Sequence, residues 1–176
     1  MEPRVGMPDQ VTRLIAALDR PAGGSSDFDL NPSFRLPVGR VLRQAAVLVG
    51  LSQRDDRVEV ILTKRASHLK HHPGQIAFPG GKVEAFDTGP EAAALREADE
   101  EIGLSSANVE VLAVLPPHET VTGFAVTPVL GWIKDDFVAV RDPNEVEEVF
   151  TVPLAHVLSP DRYVIEGRVW LGQVRR

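Results

Sequence analysis

The sequence predicts an α+β protein, an α/β/α sandwich with a mixed β-sheet between helices. Two observations lead there. β-rich runs outnumber helical ones, and they do not alternate regularly with helices, which excludes a doubly wound fold. The length of 176 residues suits one core, so residues 1–176 are expected to form a single domain.

Residues 9–20 place Val11, Leu14, Ile15 and Leu18 at helical spacing between polar residues, which predicts an N-terminal packing helix. Residues 21–37 contain Gly23-Gly24-Ser25-Ser26 and Asn31-Pro32 and read as loop. Gln44–Leu51 and Val58–Leu62 are β-rich, and Ser52–Asp56 between them reads as a hairpin connection. Residues 64–86 carry few periodic signals. A loop of that length inside a compact domain tends to be functional. A helix is predicted over Pro90–Ile102, with Pro90 in its first turn, Thr88 or Gly89 as cap and Gly103 at its end. Strands are predicted at Val109–Leu115, Ala125–Ile133 and Val149–Val152, a short helix over 153–158 begun by Pro153, and a last strand over Tyr163–Leu171.

Composition narrows the function. The chain has no cysteine, which removes disulfide scaffolds, thiol nucleophiles and Cys-based metal sites. Its net charge of −6 argues against general affinity for nucleic acid or membrane. No apolar run approaches the ~20 residues of a membrane helix. Met1-Glu2-Pro3-Arg4 lacks the order of a signal peptide, so a cytoplasmic protein is expected.

The chemistry concentrates in Arg96-Glu97-Ala98-Asp99-Glu100-Glu101-Ile102-Gly103-Leu104. On a helix Glu97, Glu100 and Glu101 share one face, opposite Ala94, Leu95, Ala98 and Ile102. Like charges at i,i+4 destabilise a helix by ~0.2–0.5 kcal/mol, and negative charge near its C-terminus costs ~0.3–1 kcal/mol more. A bound divalent cation removes both penalties, and Mg²⁺ prefers carboxylate oxygen while leaving room for substrate phosphates. A bare Glu-x-x-Glu-Glu is ordinarily a solvated acidic face. What changes its meaning is the preceding Phe78-Pro79-Gly80-Gly81-Lys82-Val83-Glu84-Ala85-Phe86-Asp87, where Gly80 and Gly81 allow a ligand to approach the main chain. A P-loop is excluded, because its first glycine would fall on Ile76 and Val83 replaces the needed Ser or Thr.

Together, Gly81 to Leu104 resembles the Nudix box of the Nudix hydrolases. The second half of the box matches throughout. In the first half there is one extra residue, and Asp87 stands where Glu is usual, with Glu84 nearby. Either acid is a candidate for orienting the helix through Arg96. The resemblance implies the Nudix fold and divalent-metal hydrolysis of a diphosphate linked to another moiety. It implies Glu97, Glu100 and Glu101 as ligands of Mg²⁺ or Mn²⁺, with one of them able to orient water. No Ser or Cys nucleophile is needed.

Upstream, Leu62-Thr63-Lys64-Arg65-Ala66-Ser67-His68-Leu69-Lys70-His71-His72-Pro73-Gly74-Gln75-Ile76-Ala77-Phe78-Pro79-Gly80-Gly81 is a basic island in an acidic chain, suited to a polyphosphate. A zinc site of histidines alone would lack a completing carboxylate or Cys. The segment closely resembles the extra motif of the coenzyme A pyrophosphatase branch of the Nudix hydrolases, and the extra box residue is usual there too. The likeness continues more weakly through Gly123–Val129 and Asn144–Leu154 and fades after Trp170-Leu171-Gly172, where that branch continues into another helix. It implies hydrolysis of coenzyme A or a derivative to adenosine 3′,5′-bisphosphate and a 4′-phosphopantetheine compound. Lys64, Arg65, His68, Lys70, Gly80 and Gly81 are the expected substrate-binding residues. The alternatives are a Nudix hydrolase of another nucleotide diphosphate (ADP-ribose, NADH, an oxidised nucleoside triphosphate) and a Nudix-fold binding protein without catalysis. Asn144-Glu145-Val146-Glu147-Glu148 reads equally as a solvated acidic turn or as an acid facing the site.

Overall fold

The computed structural model describes residues 7–18, 20, 23–29, 39–164, 168–170 and 173–175. Its elements run α1 (Asp9–Leu18), β1 (Ser25–Ser26), β2 (Arg43–Arg54), β3 (Arg57–Arg65), β4 (Ile76–Ala77), β5 (Gly80–Lys82), α2 (Pro90–Ile102), β6 (Val109–Val114), β7 (His118–Glu119), β8 (Phe124–Ile133), β9 (Val146–Pro153), α3 (Leu154–Val157), β10 (Arg168–Trp170) and β11 (Gln173–Arg175). Nine of the strands form one mixed sheet, and β10 pairs with β11 as a separate hairpin. No helix among the described residues is long and apolar enough to cross a membrane.

At the centre, β2 and β8 run parallel from Arg43↔Phe124 to Leu51↔Trp132. The other edge of β2 is shared. Its first half pairs with β5 through Ala45↔Lys82, Ala46↔Gly81 and Val47↔Gly80, and its second half pairs with β3 from Leu51↔Val60 to Arg54↔Arg57. That division lets β5 leave the main hairpin and lie beneath α2. β9 continues the sheet on the far side of β3.

Each face of the sheet is covered by helix, as period-2 and period-3.6 burial require. Ala93, Ala94, Ala98 and Ile102 of α2 are fully buried against Ala46, Leu48, Ile61, Val129 and Ile133. The three alanines bring helix and sheet close, and burying Ile102 contributes about 1.5–3 kcal/mol. On the opposite face α1 contributes Val11 and α3 contributes Leu154 to a core with Leu51, Val58, Val60 and Leu130. Residues 23–29 are strapped to the sheet edge by His118. Its Nδ1 lies 2.8 Å from Ser25 Oγ and its Nε2 2.9 Å from Asp27 Oδ1, while Asp27 Oδ2 accepts the Val121 N–H at 2.7 Å.

The α/β/α sandwich and the ends of α2 agree with the sequence reading. Gly103 takes the left-handed conformation at φ 70°, and Gly89 caps the other end without a side-chain hydrogen bond. Several boundaries differ. α1 ends at Leu18 rather than residue 20. The first hairpin pairs as far as Arg54↔Arg57, so its turn is the tight Asp55-Asp56, with Asp55 at φ 53°, and not the whole of 52–56. The segment read as unstructured over 64–86 holds β4 and β5, short strands dictated by their partners on β3 and β2. Tyr163 and Val164 lie outside any strand, and the next strand, β10, starts at Arg168 and is followed by β11. Residues 165–167 and 171 of that expected strand, and most of the expected loop over 21–37, lie outside the described residues.

Candidate metal centre and active site

Arg96 organises the acids. Its Nε and Nη2 donate to the two oxygens of Asp87 at 3.1 and 3.0 Å, and Nη2 also donates to the Lys82 carbonyl at 3.1 Å. Its Nη1 donates to Glu97 Oε1 and Glu100 Oε2, each at 2.9 Å. The planar fork is what permits a bidentate grip on one carboxylate together with two others. Arg96 thus ties β5, the acidic turn at Asp87 and the face of α2 into one unit. Of the two acids open in the sequence, Asp87 is the one Arg96 holds. Glu84 contributes its backbone N–H, which donates to Asp87 Oδ2 at 2.8 Å. The Arg96 hydrogen bonds hold the Asp87 carboxyl below the usual carboxylate range.

The three glutamates share a helix face as expected, but not an exposed one. Only Glu100 is open to solvent. Glu97 is half-buried, and Glu101 is 4% exposed beneath β5. There the Gly80 N–H donates to Glu101 Oε2 at 3.1 Å. Burial pushes the Glu101 carboxyl up to about 7. The Gly80 hydrogen bond opposes this, the charges of Glu97 and Glu145 reinforce it, and Arg65 acts against it. Burial also raises Glu97, against the pull of its Arg96 hydrogen bond and with the push of Glu100 and Glu145. The helix end is secured by its neighbour loop, since the Val140 and Asp142 N–H groups donate to the Ile102 and Glu101 carbonyls at 3.0 Å each.

Among the described residues no three acids or histidines are drawn into a ready-made metal cage. Glu97 and Glu100 turn to Arg96, and Glu101 turns to Gly80. The donor set nevertheless fits a hard divalent cation, because it is carboxylate oxygen throughout and its mutual repulsion and burial are relieved by positive charge. Gly81 supplies a second sign of fit. A Cβ there would stand 2.5 Å from the Glu97 carboxyl carbon and Oε1, so the missing side chain is the seat of that carboxylate. Gly80 is small for another reason, as its Cβ would meet the Ala46 carbonyl oxygen at 2.4 Å. Gly81→Ala is therefore expected to keep the fold and lower turnover at least about tenfold, by displacing Glu97. Gly80→Ala is expected to lower the melting temperature, because a backbone clash cannot be relieved by a rotamer. Circular dichroism melts beside turnover separate the two. Equal loss of stability in both would contradict the seat at Gly81.

The basic segment divides. Arg65 ends β3, half-buried, and its charge reaches Glu101. Lys64 points to β9 instead, where Nζ pairs with Glu147 Oε1 at 2.6 Å, and Ser67 donates to the other Glu147 oxygen. That pair raises Lys64 and lowers Glu147. His68 Nε2 lies 3.1 Å from the Asn144 carbonyl oxygen. Lys70, His71 and His72 are solvent-exposed. Glu145 was readable from the sequence only as an open alternative. Its side chain is exposed, and its charge reinforces the upward shift of both Glu97 and Glu101.

The NUDIX domain family model matches residues 41–171. The chain is 50% identical over 138 residues to the uncharacterized Nudix hydrolase NudL of Enterobacter sp. (strain 638), covering 74% of this chain and 71% of that protein. It is 49% identical over 121 residues to NudL of Escherichia fergusonii. There the match covers 69% of this chain but only 62% of the relative's own length. Among solved structures, a Nudix hydrolase of M. smegmatis, RenU, superposes with a TM-score of 0.56 at 25% identity, over 65% of this chain and 73% of that one. The NUDIX domain of Shewanella oneidensis NrtR, complexed with ADP ribose, superposes with a TM-score of 0.52 at 20% identity, over 73% and 80%.

Proposed function

The chain belongs to the Nudix family, and on that premise we propose that it hydrolyses the diphosphate of coenzyme A or a derivative. The products are adenosine 3′,5′-bisphosphate and a 4′-phosphopantetheine compound. The observation that carries the substrate choice is the Leu62–Gly81 segment. The charge of its Arg65 acts on Glu101, and its Gly80 N–H donates to that same carboxylate.

Glu97, Glu100 and Glu101 are the residues that would hold Mg²⁺ or Mn²⁺, which supplies charge neutralisation of the diphosphate and an activated water. The chain's own groups do the rest. Asp87 and Arg96 fix α2 against β5, so the carboxylates are positioned before substrate arrives. Gly81 keeps the seat of Glu97 open. Arg65, Lys70 and His68 offer donors to phosphate oxygens, which is worth most where charge develops during bond cleavage. Lys64 joins them only by exchanging Glu147 for a phosphate. Glu145, whose charge acts on Glu97 and Glu101, is a further candidate to orient water or share a cation.

The test is the identity of the products. Coenzyme A incubated with Mn²⁺ and the enzyme is expected to give equal amounts of the two products named above, read by mass. Formation of 3′-dephospho-coenzyme A, or no turnover beside efficient cleavage of ADP-ribose, would overturn the substrate assignment.

A further inference from the structure

A cavity of about 610 Å³ opens at the opposite end of the sheet from the carboxylates, lined by Glu59, Thr151, Ser52, Ile61, Ile133 and Phe137 among others. Glu59 stands six residues before Arg65 on β3, which separates these two positions by roughly 20 Å at the rise of a strand. Nothing in the proposed reaction uses this cavity.

Its chemistry is particular. Glu59 is only 9% exposed, an unusual place for a carboxylate. The Thr151 hydroxyl donates to Glu59 Oε2, so the carboxyl acts there as an acceptor. No group among the described residues donates to Oε1, yet no buried side-chain oxygen is left sealed without a partner. Oε1 is therefore reached from the cavity that Glu59 lines. A carboxylate so far withdrawn from water is costly unless a donor or cation meets it. Beneath it, the almost wholly buried Ile61 and Ile133 close the floor, with the half-buried Phe137 beside them. At the rim Asp55, Asp135 and Asp136 outnumber Arg54 and Lys134, so the surroundings repel anions and favour a positive guest.

We propose that this cavity is a second small-molecule site that takes a primary alkylammonium ion, its head on Glu59 and its chain over Ile61, Ile133 and Phe137. A bare metal ion is poorly served there, since no three acids or histidines among the described residues are drawn together to hold one. A phosphate-bearing ligand is opposed by the acidic rim. An ammonium head satisfies Oε1 with a charge-assisted hydrogen bond, and a short hydrocarbon chain covers the floor.

The experiment is a ¹⁵N–¹H NMR titration of the full chain with n-pentylammonium chloride, beside sodium chloride and tetramethylammonium chloride at matched ionic strength. Saturable shifts are expected at Glu59, Ile61, Ile133 and Phe137 with pentylammonium alone, because tetramethylammonium has no N–H to donate. Glu59→Gln should weaken the affinity at least about tenfold, the scale of one charge-assisted hydrogen bond. Glu100→Gln, at the other site, should leave it unchanged. If Glu59→Gln does not fold, Ser52→Leu narrows the cavity without touching the carboxylate and should also abolish binding. Shifts that match those from sodium, or affinity retained in folded Glu59→Gln or Ser52→Leu, would overturn the proposal.

Discussion

Glu100→Gln and Glu101→Gln are each expected to lower kcat/KM by at least about a hundredfold, roughly 2.7 kcal/mol of transition-state stabilisation, while the metal-free fold survives. The two differ in what they do to stability. Glu100 is solvent-exposed and paired with Arg96, an arrangement worth little on a surface. Glu101 is buried, and its carboxyl lies at about 7 against an ordinary 4.5. The folded, metal-free protein thus keeps a proton that the unfolded chain releases at lower pH. Stability falls as pH rises from about 4.5 to about 7, by something on the order of 3 kcal/mol in all. Glutamine removes that slope and can still accept the Gly80 N–H. Metal-free Glu101→Gln should therefore melt higher than wild type at pH 8 and alike at pH 4.5, although it is the less active enzyme. Wild-type turnover in either variant would remove these residues from the reaction.

The second large effect is on selectivity. Coenzyme A differs from most other diphosphates of the family by its 3′-phosphate, and each well-formed charge-assisted hydrogen bond to that group is worth ~1.5–3 kcal/mol, tenfold or more in kcat/KM. Coenzyme A is expected to be preferred at least about tenfold over its 3′-dephospho form, and by more over ADP-ribose. Arg65→Ala or Lys70→Ala should shrink the first ratio. Lys64→Ala should shrink it less, because the Lys64 ammonium is already paired with Glu147 on β9. Equal use of coenzyme A and its dephospho form would mean that this segment does not read the 3′-phosphate.

Local chemistry made part of this legible in advance. Pro90 and Gly103 bound α2 because a fixed φ suits a first helical turn and only glycine takes φ 70° at little cost. The shared face of Glu97, Glu100 and Glu101 follows from helical period alone. The burial of Glu101 does not, because it depends on Gly80 lying over it. That overlap is set by the pairing of β5 with β2, across more than thirty residues of chain. The choice of Asp87 over Glu84 was likewise undecidable from spacing, since both stand within one short turn and only the seating of Arg96 against the Lys82 carbonyl selects one. Lys64 and Arg65 looked alike as neighbours in a basic run. On a strand they point to opposite faces, which sends one to Glu147 and the other toward Glu101. Glu59 gave no signal at all, as a single acid in a β-rich run reads as solvent-facing until β9 brings Thr151 to it.

The proposed chemistry depends on the carboxylate face of α2 holding the divalent cation. Titration of Mn²⁺ at pH 8, followed by the loss of its free-ion electron paramagnetic resonance signal, reads this without any substrate. Wild type should bind saturably, and Glu97→Gln, Glu100→Gln and Glu101→Gln should each weaken binding at least about tenfold, as expected when a charged ligand is removed. Affinity unchanged in all three variants would contradict the account.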